Sequence, residues 1–336
     1  MKILTDMSQA EPTDSCLTIG FFDGVHRGHK FLIEKATASA HRKGMRAVLL
    51  SFFPHPSVVL RGAEPYYLTT LEEKLALLSE LDLDLIIIQR FTPGLAQTRA
   101  GEFVERLITQ LGMVELWVGP DFALGYRREG DTAFLRRMGL ERGYALNIVE
   151  RLRLDDIAIS SSRIRQALRE GNVTLAARCL GRPYCVQGPV VIGAQRGRSL
   201  GFPTANVEVP EERAVPANGV YAAWGRLAAE ASAAPAFHDS TRHRVRVLGE
   251  ATGFGRVGSW GEQSWRAVVN IGTRPTFDNG PRTIEAHLLD FDRDIYGRRL
   301  HLDFVARLRP EKRFNSIDEL VKQIERDASL ARQFLH

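Results

Sequence analysis

The sequence lacks the features of a secreted or membrane-spanning protein. Its three cysteines, Cys16, Cys179 and Cys185, have no C-x-x-C spacing, so neither a disulfide framework nor a zinc site is expected. Residues 1–15 contain no apolar core of a signal peptide, and no later apolar run approaches the roughly 20 residues of a membrane helix. We therefore expect a cytoplasmic protein that binds no membrane.

The chain also carries little excess charge. Its net charge is +5 over 336 residues, and its arginines are scattered among acidic residues instead of forming a basic tail. Anionic small substrates such as nucleotides account for this excess as well as nucleic acid does. We expect no nucleic-acid partner, and a monomer or weak homo-oligomer.

The first half of the chain alternates strand-like and helix-like patterns. The predicted strands are 16–22, 47–52, 85–89 and 114–118, and the predicted helices are 29–42, 71–81 and 101–111. The continuously apolar run 85–88 is typical of a strand covered on both faces. These patterns predict an α/β fold with a doubly wound parallel sheet, in which ligands bind at the carboxyl ends of the strands.

The chain is longer than one hydrophobic core usually organises, so two domains are predicted. Two helical patterns, 162–170 and 173–180, end at a Gly-Arg-Pro sequence, and we place the boundary there, between domains 1–182 and 183–336.

Beyond residue 182 the pattern changes to short β-branched runs separated by Gly and Pro. The predicted strands are 190–192, 219–222, 244–248, 267–271 and 283–289, which is typical of a small antiparallel β-barrel. An Ala-rich segment, 228–240, is interpreted as a surface loop. The pattern 316–335 predicts a terminal helix, in which Ser316 and Glu319 match a capping box.

A glycine-rich and histidine-rich segment lies where the first predicted strand ends and a helix begins. Backbone N–H groups and the helix dipole favour phosphate at such a position, although this segment lacks a Walker lysine. The candidate ATP-binding residues are Gly20, Phe21, Phe22, Asp23, Gly24, His26, Gly28 and His29. The alternative is that His26 and His29 are ordinary loop and helix-cap residues.

A second turn, rich in hydroxyl groups and arginine, opens a later helix. Its candidate ATP-binding residues are Ser160, Ser161, Ser162, Arg163 and Arg165. The alternative interpretation is a serine N-cap followed by surface arginines.

Together the two segments resemble the H-x-G-H nucleotidyltransferase superfamily. Within it, residues 15–182 are similar to the adenylyltransferase domain of bacterial FAD synthetases, which has counterparts of the segments 53–56 and 119–125. Ser162 stands where that family often has Thr, and Pro120 where it usually has an acidic or polar residue. The resemblance implies that His26 and His29 are catalytic and that Asp121 and Phe122 bind flavin.

The barrel half begins with another glycine-rich loop. Gly193, Gly197 and Gly201 are candidates for a phosphate loop, and Thr204 with Asn206 offers two neutral oxygen ligands on one side of an extended segment. Such ligands suit Mg²⁺ bound to ATP. The alternative is a Gly-rich hairpin without a ligand.

Four later segments, 269–277, 285–292, 294–297 and 308–314, resemble riboflavin kinase. The resemblance spans about 184–330, with a longer stretch than usual between 221 and 266. It implies that 202–206 binds Mg²⁺ and ATP and that Glu285 accepts the proton of the ribityl 5′-hydroxyl. It also implies flavin-binding roles for Asp290, Phe291, Asp292 and Arg309.

The order of the two resemblances matches bacterial bifunctional riboflavin kinase/FAD synthetases. The implied function is ATP-dependent phosphorylation of riboflavin to FMN, followed by adenylylation of FMN to FAD. Two rivals are a transferase that makes a different dinucleotide-like product and a basic barrel that binds nucleic acid. The second rival requires aromatic residues interleaved with Lys and Arg on barrel strands, whereas the arginines noted here lie near Gly and Ser turns.

Overall fold

The computed structural model describes residues 1–193, 197, 200–228, 264–273 and 282–335. The predicted strand 244–248 and nearly all of the predicted loop 228–240 lie outside these residues. Contacts divide the chain into two compact units, and within the described residues the division falls between Ile159 and Ser160. The domain boundary after residue 182 stays a prediction.

The first unit is built on a parallel sheet. Its strands are β1 (Lys2–Leu4), β2 (Ser15–Ile19), β3 (Arg46–Phe53), β4 (Leu85–Arg90), β5 (Met113–Val118), β6 (Ala123–Leu124), β7 (Gly130–Asp131), β8 (Ala145–Ile148), β9 (Arg153–Leu154) and β10 (Ile157–Ala158). Six of them form one sheet in the order β1-β4-β3-β2-β5-β8, and every neighbouring pair is parallel. The predicted α/β fold with a parallel sheet is confirmed.

Helices cover both faces of this sheet. They are α1 (Arg27–Arg42), α2 (Pro56–Arg61), α3 (Leu71–Leu78), α4 (Pro93–Ala96), α5 (Ala100–Leu111) and α6 (Thr132–Arg142). Leu17 and Ile87 belong to a core shared with α5, whereas Cys16 and Ile86 belong to a core shared with α1 and α3. Because successive strand residues point to opposite faces, two buried faces require a continuously apolar strand.

The element boundaries differ from the predicted ones at the start of the sheet. Strand β2 ends at Ile19 instead of residue 22, because the chain turns away from the sheet and Phe22 adopts a φ of 52°. Helix α1 begins at Arg27, before the predicted residue 29, with His26 as its N-cap. The sequence patterns did not predict strands β1 and β8, because both strands are very short. They also did not predict helix α6, because charged and apolar residues are mixed on its faces.

The second unit contains two helices followed by a barrel. Its elements are α7 (Ser161–Arg169), α8 (Val173–Leu180), β11 (Tyr184–Val191), β12 (Ala205–Val207), β13 (Gly219–Leu227), β14 (Ser264–Thr273), β15 (Arg282–Leu288), β16 (Arg299–Arg309) and α9 (Ile317–Phe334). The strands close in the order β11-β12-β15-β14-β13-β16, with antiparallel neighbours. This confirms the predicted antiparallel barrel.

The strand β16 was missed because arginines at both ends obscure its alternation. Leu300, Leu302 and Phe304 are fully buried, so alternate residues fill the barrel core as in any half-buried strand.

The terminal helix α9 begins close to its predicted position. Ser316 accepts a hydrogen bond from the backbone N–H of Glu319 at 3.2 Å. The Glu319 carboxylate accepts one from the backbone N–H of Asn315, not of Ser316, so the predicted reciprocal capping box is only half formed. Neither α9 nor any other helix within the described residues combines the length and apolarity needed to span a membrane.

A buried carboxylate joins α1 to the centre of the sheet. Glu115 on β5 is 3% exposed and accepts hydrogen bonds from Ser39 Oγ at 3.0 Å, Trp117 Nε1 at 2.8 Å, Cys16 Sγ at 3.3 Å and Lys43 Nζ. Burial opposes its ionisation, but the hydrogen bonds, led by that from Lys43, outweigh burial and lower the pKa of Glu115 to about 2. Cys16 lies near the amino end of β2, whereas ligands of such sheets bind at the carboxyl ends of the strands, so we assign this cluster to stabilisation of the fold.

We predict that Glu115→Gln lowers the free energy of unfolding at neutral pH by about 1–3 kcal/mol, because it removes a hydrogen-bonded buried charge. The folded-state pKa lies below the ordinary value of 4.5, so the charge contributes fully above about pH 4.5, and its contribution is lost as the pH falls toward 2. Urea unfolding followed by circular dichroism across this range should show the wild-type advantage shrinking. Glu34→Gln, an exposed change on α1, is the matched control. An advantage that persists unchanged at the acid end would contradict this explanation.

Candidate active sites

The loop between β2 and α1 lies at the carboxyl edge of the parallel sheet. His26 is the N-cap of α1, and its Nδ1 accepts a hydrogen bond from the backbone N–H of His29 at 3.2 Å. The two imidazoles stack with centroids 3.5 Å apart. The alternative interpretation of His26 as a helix-cap residue therefore describes its local structure, and a role of either histidine with ATP stays a prediction.

The His29 ring, in the first turn of α1, contacts two other rings, those of His26 and Phe22. It makes an edge contact with Phe22 at 5.2 Å, and its Nδ1 is buried without a hydrogen-bond partner among the described residues. Burial first, and then electrostatic interactions with His26 and Lys74, hold the pKa of His29 well below its usual range. His29 is therefore a neutral imidazole near neutral pH, with an unsatisfied nitrogen.

Two predicted ATP-binding residues are occupied within the protein itself. The Asp23 carboxylate is 3% exposed and accepts hydrogen bonds from the backbone N–H groups of Leu68 and Thr69 and from Thr69 Oγ1, at 3.0–3.2 Å. Phe22 is buried in the core beneath α1. These contacts hold the loop in place, and a direct role of either side chain with ATP stays a prediction.

The residues after β5 reach the same edge of the sheet. Asp121 is exposed and forms an ion pair with Arg151, while its carbonyl accepts a hydrogen bond from Arg128 at 2.9 Å. Phe122 is half-buried, and its N–H donates to the carbonyl of Gly119 at 3.2 Å. The turn thus presents an aromatic ring and a carboxylate beside the strand ends.

The serine turn has the predicted local structure. Ser160 is the N-cap of α7, and its Oγ accepts a hydrogen bond from the backbone N–H of Arg163 at 3.2 Å. Ser162 is exposed, whereas Arg163 and Arg165 are half-buried. This turn belongs to the second unit, whereas the β2–α1 loop belongs to the first.

In the barrel, register places a carboxylate between two amides. Glu285 on β15 pairs with Asn206 on β12 and with Asn270 on β14. Directly paired residues share a face of the sheet, and the neighbouring Ala205 and Ala286 are buried inside the barrel. Asn206, Glu285 and Asn270 therefore form one row on the outer face, which we call the amide–carboxylate row.

The predicted glycine loop lies against the same face. A Cβ atom on Gly193 would be 2.2 Å from the Asn206 Nδ2, and one on Gly197 would be 3.4 Å from the Thr204 Oγ1. The absence of a side chain therefore lets Gly193 approach Asn206 closely, whereas a Cβ atom on Gly197 would be in ordinary contact with Thr204 and only 2.4 Å from the Phe202 carbonyl oxygen. Gly201, with a φ of 85°, completes this turn.

A pocket of about 370 Å³ opens next to Thr204 and the inward-facing Ala205 and Ala286 of the same strands. It is lined by Val190, Pro203, Thr204, Ala205, Ala286, Leu288, Phe291, Asp292, Arg293, Asp294, Ile295 and Tyr296. The predicted metal ligand Thr204 and the predicted flavin-binding residues Phe291 and Asp292 thus meet in one cavity. The Arg293 guanidinium lies 5.1 Å from the Phe291 ring, which makes the wall partly aromatic and partly cationic.

Two other predicted flavin-binding residues contact the terminal helix. Asp290 forms an ion pair with Arg332 of α9 at 2.7 Å. Arg309 donates from Nε and from its terminal nitrogen to the carboxylate of Asp327, which is 2% exposed, at 2.8–3.1 Å. These pairs fix α9 on the barrel, and the flavin roles of Asp290 and Arg309 stay predictions.

Three residues near these sites escaped sequence reasoning. Asn270 lies within the segment 269–277, and only strand register reveals its position opposite Glu285. Arg293 contacts the pocket aromatics. Lys74 interrupts the apolar stripe of α3 formed by Leu71, Leu75 and Leu78, and a lysine at such a position was the available signal.

The first unit carries stacked histidines at a helix N-terminus at the edge of a parallel sheet, and the second carries a carboxylate paired with two asparagines on a barrel. Both arrangements are candidate sites for reactions of phosphate groups. A family model described as FAD synthetase matches residues 8–163, and one described as riboflavin kinase matches residues 180–335.

Curated relatives cover nearly the whole chain. It is 37% identical over 332 residues to the bifunctional riboflavin kinase/FMN adenylyltransferase of Escherichia coli K12, covering 98% of this chain and 95% of that protein. It is 35% identical over 322 residues to the protein of the same name from Bacillus subtilis 168, covering 94% and 91%. The chain therefore belongs to the bifunctional riboflavin kinase/FMN adenylyltransferase family, with the kinase domain C-terminal.

A solved structure has the same overall fold. The crystal structure of a Streptococcus pneumoniae protein named macrolide-efflux protein matches with a TM-score of 0.80 and 26% sequence identity, covering 98% of each chain. Together these findings make the protein an enzyme with two ATP-dependent reactions, phosphorylation of riboflavin and adenylylation of FMN.

We predict that Gly193→Ala lowers kcat/KM for riboflavin phosphorylation about 10- to 100-fold, because the new Cβ displaces Asn206 from its position. FAD formation from supplied FMN should be unchanged in the same preparation. Gly94→Ala is the control, since its Cβ would find only the Thr92 Oγ1, at 3.8 Å. Wild-type kinase activity in Gly193→Ala would show that close approach to Asn206 is dispensable.

Proposed function

We propose that residues 1–182 transfer the adenylyl group with the β2–α1 loop as the phosphate site. A phosphate oxygen of FMN attacks the α-phosphorus of ATP, the new P–O bond forms, and pyrophosphate leaves. Negative charge grows on the transferring phosphoryl oxygens, so aligned donors lower the barrier. The stacked His26 and His29 and the first turn of α1 supply such donors.

The neutral state of His29 supports this assignment. A neutral imidazole has one N–H donor, and at the N-terminus of α1 this donor would serve a phosphate oxygen without adding a full charge. We assign Ser160, Ser161, Ser162, Arg163 and Arg165 as further ATP contacts, because hydroxyl and guanidinium groups at a helix start suit phosphate. Asp121 and Phe122 are assigned to FMN.

For residues 183–336 we assign Glu285 as the general base. It takes the proton of the riboflavin 5′-hydroxyl as that oxygen attacks the γ-phosphorus; the new O–P bond forms, the bond to the bridging oxygen breaks, and ADP leaves. The observation that carries this assignment is the amide–carboxylate row, since strand register places Glu285 directly between Asn270 and Asn206, which Gly193 approaches closely. Phe291 and Asp292 would contact the flavin in the adjoining pocket.

A divalent metal suits the same part of the barrel. Thr204 and Asn206 offer neutral hard oxygens, and Gly193 packs directly against Asn206 because it has no side chain. We propose that these residues hold Mg²⁺ with ATP, where the ion would offset the phosphate charge. A cytoplasmic enzyme that is a monomer or weak homo-oligomer, without nucleic-acid or membrane partners, remains our expectation.

Product analysis tests the proposal as a whole. The full chain is incubated with riboflavin, ATP and Mg²⁺, and the flavins are separated by chromatography. Both FMN and FAD should appear, and adding FMN alone with ATP should yield FAD directly. Absence of both products would overturn the proposed function.

Glu285→Gln should reduce riboflavin phosphorylation about 10²–10⁴-fold, because the amide cannot accept the hydroxyl proton. Adenylylation of supplied FMN should survive. Glu325→Gln, an exposed change on α9, should leave both activities intact. Unimpaired FMN formation by Glu285→Gln would remove Glu285 from the mechanism.

His29→Ala should reduce FAD formation from FMN about 10²–10³-fold through loss of a phosphate donor, while FMN formation from riboflavin continues. Arg163→Ala should act in the same direction. The control is His41→Ala at the other end of α1, where the ring contacts Asp84 on the surface. Parallel loss of both reactions in His29→Ala would argue for misfolding or a shared site.

A further inference from the structure

Lys74 is a buried ammonium group at the base of the β2–α1 loop. It is 3% exposed, and it lies on α3 among the apolar residues that pack against the sheet. Removing an ammonium group from water is costly unless its charge and its N–H groups are compensated. The surroundings of Lys74 therefore need an explanation.

The contacts of Lys74 converge on one backbone group. Its Nζ donates to the Phe21 carbonyl at 3.2 Å and to Ser51 Oγ at 3.3 Å, and it lies 4.4 Å from the centre of the Phe21 ring. The Ser51 hydroxyl also donates to the Phe21 carbonyl, at 3.1 Å. Phe21 immediately precedes the loop residues that approach α1, so Lys74 and Ser51 set the path of the loop where it leaves β2.

The charge of Lys74 is only partly offset within the protein. No carboxylate among the described residues lies within ion-pair distance of its Nζ, although Asp23 acts on it through space. The Asp23 carboxylate is itself held by the backbone of Leu68 and Thr69. A buried cation thus contributes positive potential beside a loop to which we assign anionic phosphates.

We propose that Lys74 is a positioning residue for adenylyl transfer, holding the Phe21 carbonyl so that the His26–His29 end of the loop meets the ATP phosphates, and adding positive potential behind it. This inference rests on the proposed function of the loop. Lys74 need not touch ATP. Its effect is on the placement and electrostatics of groups that do.

The test compares Lys74→Met and Lys74→Arg in the full chain, because methionine keeps most of the volume and arginine keeps the charge. Lys74→Met should lower kcat for FMN adenylylation about 10- to 100-fold, with a smaller change in KM for ATP and unchanged riboflavin phosphorylation. Lys74→Arg should restore part of the loss. Lys35→Met is the matched control, since Lys35 also lies over a phenylalanine ring, that of Phe31, but is exposed on α1.

A second measurement uses the pH dependence of the wild-type enzyme. Burial lowers the pKa of Lys74 to about 8, partly opposed by Asp23, so the ammonium loses its proton as the pH rises through that value. The ratio of adenylylation to kinase activity in the wild-type enzyme should fall across this range. Other titratable groups lie in or against the same loop, namely Asp23, His26, His29 and His55. The variant Lys74→Arg separates the effect of Lys74 from theirs, because arginine stays charged across this pH range. The fall in the activity ratio should therefore be flatter in Lys74→Arg than in the wild-type enzyme.

The outcomes separate the two proposals. A wild-type chain that forms no FAD contradicts the proposed function itself. If FAD forms normally and Lys74→Met keeps the wild-type kcat, the positioning role is wrong while the proposed function stands. If Lys74→Met loses both activities, the test is the ratio of adenylylation to kinase activity in the wild-type enzyme as a function of pH. A ratio that stays constant through about pH 8 overturns the proposed role of Lys74.

Discussion

The parallel pairing of β2 with β3 and β5 is the constraint on which the first site depends. Strands that run in one direction release their following loops at one edge of the sheet. The β2–α1 loop, the segment after β3 and the turn after β5 therefore converge, although they are far apart in sequence. The edge contact between the Phe21 and His55 rings, with centroids 4.2 Å apart, joins two of these loops directly.

Hydrogen bonds from buried polar groups hold the loops and helices in place around the sheet and the barrel. In the first unit, Asp23 binds the backbone before α3, and Lys74 binds the backbone of the loop. In the second, Asp327 binds Arg309 and holds α9 to the barrel. Such groups are tolerated inside a protein only when they are hydrogen-bonded, which makes each one a specific connection between two elements. A polar residue within a family motif can therefore serve the fold as well as, or instead of, the substrate.

The candidate kinase site depends on strand register in the same way that the candidate site of the first unit depends on strand direction. Asn206, Glu285 and Asn270 share a face because β12, β15 and β14 pair at these residues. A shift of one residue would turn Glu285 into the barrel core and Ala286 to the outside. The site is thus a property of three strands, and the hydrophobic residues that fill the barrel maintain it.

Local sequence pattern by itself determined the fold class and most helices and strands. For example, the helix predicted at 173–180 is α8, and the pattern placed Thr204 and Asn206 on one side of an extended segment. Hydrophobic period and helix-stop signals act over a few neighbouring residues, so a sequence displays them directly. Only the tertiary structure decided the strand order, the presence of β1 and β16, the row around Glu285 and the partners of Asp23, Lys74 and Arg309. These features depend on contacts between residues that are distant in the chain, such as Asp23 and Leu68. The free energy of such contacts comes from burial and from strand register, which no local pattern encodes.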